Sequence, residues 1–138
     1  AALLETVRKE LGSLPLVAEN LGTITPEVEA LRQQFNLPGM AVLQFAWDGS
    51  LDNPHLPHNI QADCVAYTGT HDNDTTLGWF ESLVPEIQHK IMQHMGITQT
   101  DQVCDSMIDA TLSSAAQLAM IPLQDVLELG STARMNTP

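Results

Sequence analysis

Short apolar runs alternate with amphipathic stretches along this chain. Apolar residues at helical spacing predict helices over residues 3–11, 26–36, 85–95 and 101–114, and a further helix beginning near residue 75. Four apolar runs of strand length lie at residues 15–19, 40–46, 64–70 and 119–123. Strands that alternate with helices in this way predict an α/β fold built on a parallel sheet.

Helix-capping residues indicate where these helices begin and end. Gly12 is placed to end the first helix with a left-handed residue. Thr25, followed by Pro26, is a typical start for the second. Asp74 is predicted to cap the helix that follows the third strand.

Polar residues appear where two of the predicted strands end. Glu19 closes the run at 15–19, and the pair His71 and Asp72 follows the run at 64–70. The carboxyl ends of parallel strands in a barrel face one opening, so these side chains are expected to converge there. The turn-rich segment 47–62 is predicted to be a long ordered loop near the same region.

Two converging carboxylates suit the cleavage of a glycosidic bond, which needs an acid for the leaving oxygen and a second carboxylate. Glu19 is placed to serve as the acid and then as the base, although it could equally be a surface glutamate that starts a loop. His71 and Asp72 could contact a ligand or simply cap the following helix. A metal site using His55, His58 and His71 is a weaker interpretation, because a proline-rich loop lacks a regular frame for the ligands.

The composition and net charge of the chain argue against some classes of binding partner. The chain has 138 residues, 43% of them hydrophobic, which is enough for one domain with a core. Its net charge of −12 disfavours nucleic acid and anionic membrane surfaces. No apolar run approaches the roughly 20 residues of a membrane span, so a soluble, cytoplasmic protein is expected. Cys64 and Cys104 are interpreted as core thiols, and Trp47 is a candidate for stacking on a sugar.

Six segments together resemble the 4-α-glucanotransferases of the amylomaltase or disproportionating-enzyme type. The ordered combination covers nearly the whole chain and is far more specific than any single piece. The segments are Ala18-Glu-Asn-Leu-Gly, Thr25-Pro-Glu-Val-Glu-Ala-Leu-Arg, Leu37-Pro-Gly-Met-Ala-Val-Leu-Gln-Phe-Ala, Asn53-Pro-His-Leu-Pro-His-Asn, Tyr67-Thr-Gly-Thr-His-Asp-Asn-Asp-Thr and Gly130-Ser-Thr-Ala-Arg-Met-Asn-Thr-Pro.

The resemblance implies a fold and an activity. Residues 1–138 would form a single partial domain, the C-terminal half of a (β/α)8 barrel with roughly its last four strands. The implied reaction transfers a segment of an α-1,4-glucan or maltooligosaccharide to a sugar 4-hydroxyl with retention, and it uses no cofactor and no metal.

The resemblance also assigns roles to residues. Glu19 corresponds to the general acid/base and Asp72 to the carboxylate that stabilises the transition state. His71 is expected to contact the sugar at the cleavage subsite. The other candidate substrate-binding residues are Asn73, Trp47, His58 and Asn20.

The sequence departs from the family in two respects. Asn20 stands where the family usually has aspartate, which removes a charge beside Glu19 but keeps an acceptor oxygen. No segment matches the Arg-x-Asp-His-Phe motif that carries the nucleophilic aspartate, so the isolated chain is expected to be inactive. It would need the missing barrel half, or a second copy, to cover its open sheet edges. The alternatives are a noncatalytic glucan-binding or self-associating fragment and, less favoured, a hydrolase.

Overall fold

A computed structural model describes all residues, 1–138. Its three strands form one parallel sheet. The strands are β1 (Gly39–Val42), β2 (Cys64–Tyr67) and β3 (Leu118–Met120), in the order β1-β2-β3. The register aligns Ala41 with Ala66 and Ala66 with Ala119. Three of the four predicted strands are therefore present.

The chain forms six α-helices, and those predicted from hydrophobic spacing are all present. No α-helix is both long enough and apolar enough to cross a bilayer. Short 3-10 helices lie at Leu43–Phe45, Thr100–Gln102 and Ser131–Ala133. The α-helices are α1 (Ala2–Leu11), α2 (Pro26–Gln34), α3 (Thr76–Ser82), α4 (Pro85–Met95), α5 (Val103–Leu112) and α6 (Leu123–Val126).

The two faces of the sheet differ in what covers them. Side chains alternate between faces along a strand, so the aligned residues Ala41 and Ala66 share one face. Both belong to a buried cluster with side chains from the helices between β2 and β3, namely Phe80, Ile91, Val103, Cys104 and Met107. Burial of each large side chain contributes roughly 1.5–3 kcal/mol. The opposite face carries Met40, Tyr67 and Met120, which line a cavity.

The predicted strand at 15–19 is not formed. Ala18 N–H donates to Pro38 O at 2.8 Å, which is a single contact of the kind found between parallel strands. The next donor along β1, Met40 N–H, would continue a parallel ladder by donating to Ala18 O. It donates instead to the side-chain oxygen Oδ1 of Asn20 at 2.7 Å. The segment therefore lies beside β1 but is tied to it by a side chain.

The capping predictions were right for two helices and wrong for a third. Gly12 ends α1 with a left-handed φ of 74°, and Thr25 Oγ1 accepts from Val28 N–H at the start of α2. At the start of α3 the cap is Thr75, whose hydroxyl oxygen accepts from Gly78 N–H at 3.1 Å. Asp74 lies one residue too early and instead accepts from Thr75 N–H and from Ser131 Oγ.

Arg32 ties α2 to the start of β2. Its side chain is 9% exposed and donates to Asp63 Oδ2 at 2.6 Å, to Glu29 Oε1 at 2.7 Å and to Leu37 O at 2.7 Å. The planar guanidinium holds its donors in a fixed fork spread over three nitrogens, whereas a lysine offers a single ammonium nitrogen. The two neighbouring carboxylates hold the pKa of Arg32 above its usual value.

The two cysteines are both free thiols. Cys104 is buried in the core, and burial raises its pKa to about 11. Cys64 is half-buried, and its pKa is also raised by burial. Both sulfurs therefore stay protonated near neutral pH, which agrees with the interpretation of Cys104 as a core thiol.

Candidate active site

The main concave feature is a cavity of about 740 Å³ on the sheet face that carries Met40, Tyr67 and Met120. It lies at the carboxyl ends of β1 and β2, where residues just beyond the strands project. Eight of its 15 lining residues are hydrophobic, so it combines apolar walls with a few polar groups, as ligand sites commonly do. The polar and charged lining side chains include Glu19, Thr70, His71, Asp72 and Asn73.

Four of the predicted site residues line this cavity together. Glu19 reaches it from the segment beside β1, and His71, Asp72 and Asn73 reach it from the loop after β2. Glu19 and Asp72 are separated by more than fifty residues of sequence, yet both side chains are exposed to the same space. The expected convergence of the two carboxylates at one opening is therefore present.

Asp72 is held by a segment near the end of the chain. Asn136 Nδ2 donates to Asp72 Oδ1 at 2.6 Å, and Arg134 donates to the backbone oxygen of Asp72 at 2.8 Å. His71 Nε2 lies 3.4 Å from the same Oδ1 atom. These contacts leave Oδ2 free for a ligand and fix the direction of the carboxylate.

The loop that carries Asp72 is also braced internally. Asn73 Oδ1 accepts from Thr70 N–H at 2.9 Å and from Thr70 Oγ1 at 2.7 Å. The buried side chain of Gln44 donates to Asp74 O at 2.9 Å and passes close to Gly69. A Cβ at position 69 would lie 2.6 Å from Gln44 Nε2, so a larger residue there would push the Gln44 amide away from Asp74 O. The loop conformation is thus set by several independent contacts.

Asn20 does not line the cavity, although it follows Glu19 directly. Its Oδ1 atom is occupied by Met40 N–H, and its side chain lies against Gly39. The side-chain oxygen of Asn20 therefore anchors the segment that carries Glu19 to β1. Contact between Asn20 and a substrate remains a prediction.

Trp47 and His58 lie away from this cavity. Trp47 packs against the core, with its indole Nε1 buried and unpaired, and its ring meets the ring of His94 edge-on at 5.4 Å. His58 stacks on His94 at 5.8 Å between ring centroids. The structure does not bring these two residues together with Glu19 and Asp72, and their role in substrate binding stays a prediction.

Two aromatic residues that the sequence pattern did not indicate as site residues also line the cavity. They are Phe45, in the 3-10 helix after β1, and Tyr67, the last residue of β2. Burial raises the pKa of Tyr67, so its phenol remains protonated and able to donate a hydrogen bond. The alternation of faces along β2 was the available signal, because it places Tyr67 opposite the core residue Ala66.

The three histidines of the weaker metal interpretation are engaged separately. His55 Nδ1 accepts from Val42 N–H at 3.1 Å, His58 stacks on His94, and His71 lines the cavity. The chain contains no group of three or more His, Cys, Asp or Glu side chains placed to hold a metal ion.

Sequence comparison decides the family. The sequence model of the 4-alpha-glucanotransferase family matches residues 1–138. The chain belongs to this family. It is 50% identical over 137 residues to the chloroplastic/amyloplastic 4-alpha-glucanotransferase of Arabidopsis thaliana, covering 99% of the chain and 24% of that relative. It is 49% identical over 143 residues to the 4-alpha-glucanotransferase of Thermus thermophilus, covering 99% of the chain and 29% of that relative.

The fold of the chain is also similar to that of a solved amylomaltase structure. The amylomaltase from Streptococcus agalactiae in complex with acarbose matches with a TM-score of 0.91 and 32% identity. The match covers 99% of this chain and 28% of that protein. The chain thus spans roughly a quarter of the length of its relatives. Because the Arabidopsis relative is named as a plastid protein, the expected cytoplasmic location stays a prediction.

Proposed function

We propose that the chain is the part of a 4-α-glucanotransferase that supplies the general acid/base, Glu19, and a transition-state-stabilising carboxylate, Asp72. The observation that carries this proposal is that Glu19 and the loop 70–73 line one cavity at the carboxyl edge of the sheet. Membership of the glucanotransferase family supports the reaction class, and the shared cavity supports the roles proposed for the two residues. No cofactor is required for this chemistry.

The proposed reaction has two displacements at the anomeric carbon. In the first, Glu19 donates its proton to the leaving glycosidic oxygen while a carboxylate nucleophile forms a covalent bond to that carbon. In the second, the Glu19 carboxylate takes the proton from an acceptor 4-hydroxyl, whose oxygen displaces the nucleophile. Asp72 stabilises the positive charge that develops on the sugar ring in both steps.

The nucleophile is the missing component. The 138 residues contain no Arg-x-Asp-His-Phe sequence. A retaining site needs a second carboxyl group about 5–5.5 Å from the acid/base. Because the motif of the nucleophile is absent, we infer that this group comes from a segment outside the chain. We therefore expect the isolated chain to leave glucan unchanged.

The cavity walls suit a glucan chain. The rings of Tyr67 and Phe45 offer apolar surfaces on which the faces of sugar rings can stack. His71, Asp72 and Asn73 offer polar atoms for sugar hydroxyls on the neighbouring wall. The substrate that fits this combination is an α-1,4-glucan or a maltooligosaccharide.

We place residues 1–138 as a single partial domain, roughly the second half of a (β/α)8 barrel. Three parallel strands and the adjacent segment 15–19 support this placement. The sheet is open, and β3 pairs on one side only. Leu118 and Met120 on β3 are 52% and 50% exposed, which is the surface that the remaining barrel strands would cover.

A first experiment uses the chain as it is. The purified 138-residue chain is incubated with maltotriose, and the products are separated by length. We expect no shorter or longer oligosaccharides. Efficient disproportionation would show that the chain holds a complete site and would overturn the assignment of the nucleophile to another segment.

A second experiment supplies the rest of the barrel. This chain replaces the matching segment of the Thermus thermophilus enzyme, and the chimaera is assayed for transfer on maltotriose. Glu19→Gln should lower kcat by about 10²- to 10⁴-fold, the usual contribution of general acid/base catalysis. The exposed Glu10→Gln is the matched control and should leave kcat unchanged.

A substrate with a good leaving group separates acid catalysis from a structural role. Fluoride leaves without protonation, so Glu19→Gln should still release fluoride from α-maltotriosyl fluoride in a burst of about one equivalent per site. If Glu19→Gln lowers the rates on maltotriose and on α-maltotriosyl fluoride by the same factor, Glu19 is not the general acid.

A second candidate function is a noncatalytic, self-associating glucan-binding fragment. The exposed apolar residues of β3 and α6, including Leu118, Leu123 and Val126, favour it because such surface is usually covered. Light scattering at increasing concentration distinguishes the two candidates. A strict monomer counts against self-association, whereas a discrete dimer that retains glucan binding supports it. Water in place of a sugar acceptor would make the enzyme a hydrolase, which product analysis of the chimaera detects.

A further inference from the structure

Asp125 is a buried carboxylate whose hydrogen-bond partners lie at the two ends of the loop after β2. It lies in α6, its residue is 1% exposed, and it is among the most completely buried side chains of the chain. No arginine, lysine or histidine nitrogen lies within 4 Å of it, since the ion pairs of the chain involve other carboxylates. A buried carboxylate without a cation has to be satisfied by hydrogen bonds.

Three hydrogen bonds satisfy this carboxylate, and they come from two separate segments. Thr68 Oγ1 donates to Asp125 Oδ2 at 2.5 Å. Thr76 N–H donates to Asp125 Oδ1 at 2.7 Å, and Thr76 Oγ1 donates to Oδ2 at 2.8 Å. Both threonines are fully buried at 0% exposure. All the donors and the acceptor are therefore shielded from water.

The two threonines flank the loop that carries the site residues. Thr68 directly follows β2, and Thr76 is the first residue of α3. The seven residues between them include His71, Asp72 and Asn73, which line the cavity. Other contacts brace this loop at single points, such as Gln44 at Asp74. Asp125 joins both of its ends.

We propose that Asp125 is a positioning residue that clamps the two ends of the loop 69–75 and thereby sets where Asp72 lies in the cavity. This inference rests on the proposed function for its catalytic consequence. Loss of the clamp would let the loop shift, and a displacement of about 1 Å at a reacting group can cost roughly 10²-fold in rate. Substrate binding depends on the whole cavity and would change less.

The first test measures the clamp without any assay of activity. Amide hydrogen exchange is followed in the 138-residue chain and in Asp125→Asn, which keeps the shape and removes the charge. We expect faster exchange at Thr76 and at residues 70–73 in the variant, with unchanged exchange in β1. The matched control is the exposed carboxylate Asp105→Asn, which should behave as wild type. Unchanged exchange in the loop of a folded Asp125→Asn chain would overturn the proposal.

The second test measures the catalytic consequence in the chimaera. Asp125→Asn should lower kcat by about 10- to 100-fold with KM within about twofold of wild type. A variant that loses only thermal stability, with kcat unchanged at a temperature where it is folded, would show a merely structural role and refute the positioning role.

A second pair of variants keeps the proposal testable if Asp125→Asn does not fold. Thr68→Ser keeps the donor hydroxyl, and Thr68→Val keeps the shape without it. We expect Thr68→Ser to retain kcat and Thr68→Val to lose about 10-fold. Equal activity in both would contradict the clamp. If the wild-type chimaera itself is inactive, the proposed function fails, and hydrogen exchange with the same variants still decides the clamp.

Discussion

The side-chain oxygen of Asn20 accepts a hydrogen bond from the backbone N–H of Met40 at 2.7 Å, in the place where a neighbouring strand would accept it. This bond and the one from Ala18 N–H to Pro38 O hold residues 18–20 beside β1. Glu19 lies between the two anchors. Its position in the cavity therefore depends on its neighbour, Asn20.

The first prediction concerns this anchor. Asn20→Ala removes the acceptor and leaves Met40 N–H unpaired, so the Glu19 segment should loosen. In the chimaera we expect kcat to fall about 10-fold or more, because displacement of a catalytic group is costly. Hydrogen exchange at Met40, measured in the 138-residue chain, should become faster.

Asn20→Asp is the matched control for this prediction. A carboxylate oxygen can accept the same hydrogen bond, and aspartate is the residue that the family usually carries there. We expect kcat and the Met40 exchange rate to stay close to wild type. Gly39→Ala offers an independent route to the same loss, since its Cβ would lie 2.8 Å from Asn20 Nδ2. Normal activity in Asn20→Ala would exclude the anchor.

The sequence predicted most of the fold because the main elements follow local periodicity. α4 was predicted with the bounds that the structure has, Pro85–Met95, since proline opens it and Gly96 closes it. The segment 15–19 has the same apolar pattern as the true strands, yet it is not a strand. An apolar run becomes a strand only if its backbone hydrogen-bonds to a neighbouring strand along its length. Here the side chain of Asn20 accepts the hydrogen bond from Met40 N–H that the backbone of the segment would otherwise accept.

Local pattern indicated only the site residues that directly follow an apolar run, namely Glu19, His71 and Asp72. Asn73 came from the resemblance to the family, and all four residues line one cavity. Asp125 was not predicted, because its partners lie 57 and 49 residues earlier in the chain. Contacts over such separations leave no local periodic signal.

The second prediction concerns pH. His55 Nδ1 accepts from Val42 N–H at the end of β1, so this nitrogen has to be unprotonated. Burial lowers the pKa of His55 in the folded chain, partly opposed by Asp48. Between that lowered pKa and about 6.5 in the unfolded chain, the unfolded state binds more protons. Folding stability should therefore be full above about pH 6.5 and fall as pH decreases through the folded pKa.

Urea unfolding of the 138-residue chain at several pH values between about 5.5 and 7.5 measures this dependence. His55→Asn keeps an acceptor oxygen near the position of Nδ1 and does not titrate, so its unfolding midpoint should vary less with pH. The exposed His89→Asn is the control and should show the wild-type dependence. A dependence equally steep in His55→Asn would assign the effect to another group.

The third prediction concerns Arg32. Arg32→Lys keeps the charge but replaces the separate nitrogens that contact Asp63, Glu29 and Leu37 O with a single ammonium nitrogen. Hydrogen bonds to charged groups contribute about 1.5–3 kcal/mol each when buried. Because Asp63 is 55% exposed and Glu29 is 36% exposed, we expect a loss in free energy of unfolding near the lower end of that range. Urea unfolding measures it.

Arg8→Lys is the control for the third prediction. The guanidinium of Arg8 lies 5.1 Å from the ring centroid of Phe35, and a lysine can make a similar cation–π contact. Its free energy of unfolding should stay within about 0.5 kcal/mol of wild type, as is usual for surface substitutions. A loss in Arg8→Lys as large as that in Arg32→Lys would contradict the argument from the several acceptors of Arg32.

The last prediction separates the charge of Asp72 from its orientation. Asp72→Asn removes the negative charge that would face the sugar, and in the chimaera we expect kcat to fall by about 10²- to 10³-fold, the cost of removing one group that stabilises a transition state. Asn136→Ala keeps the charge and removes only the donor 2.6 Å from Asp72 Oδ1. Its kcat should fall by a smaller factor, because the carboxylate can still reach the sugar.

Thr132 lies in the same terminal segment as Asn136 and provides the control for this prediction. Thr132→Ala changes an exposed residue that makes no side-chain hydrogen bond to Asp72, so its kcat should equal that of wild type. If Asn136→Ala and Thr132→Ala are indistinguishable, the bond to Asn136 does not orient Asp72. If Asp72→Asn and Asn136→Ala lose the same large factor, orientation by Asn136 matters as much as the charge itself. The expected order of kcat is wild type and Thr132→Ala, then Asn136→Ala, then Asp72→Asn.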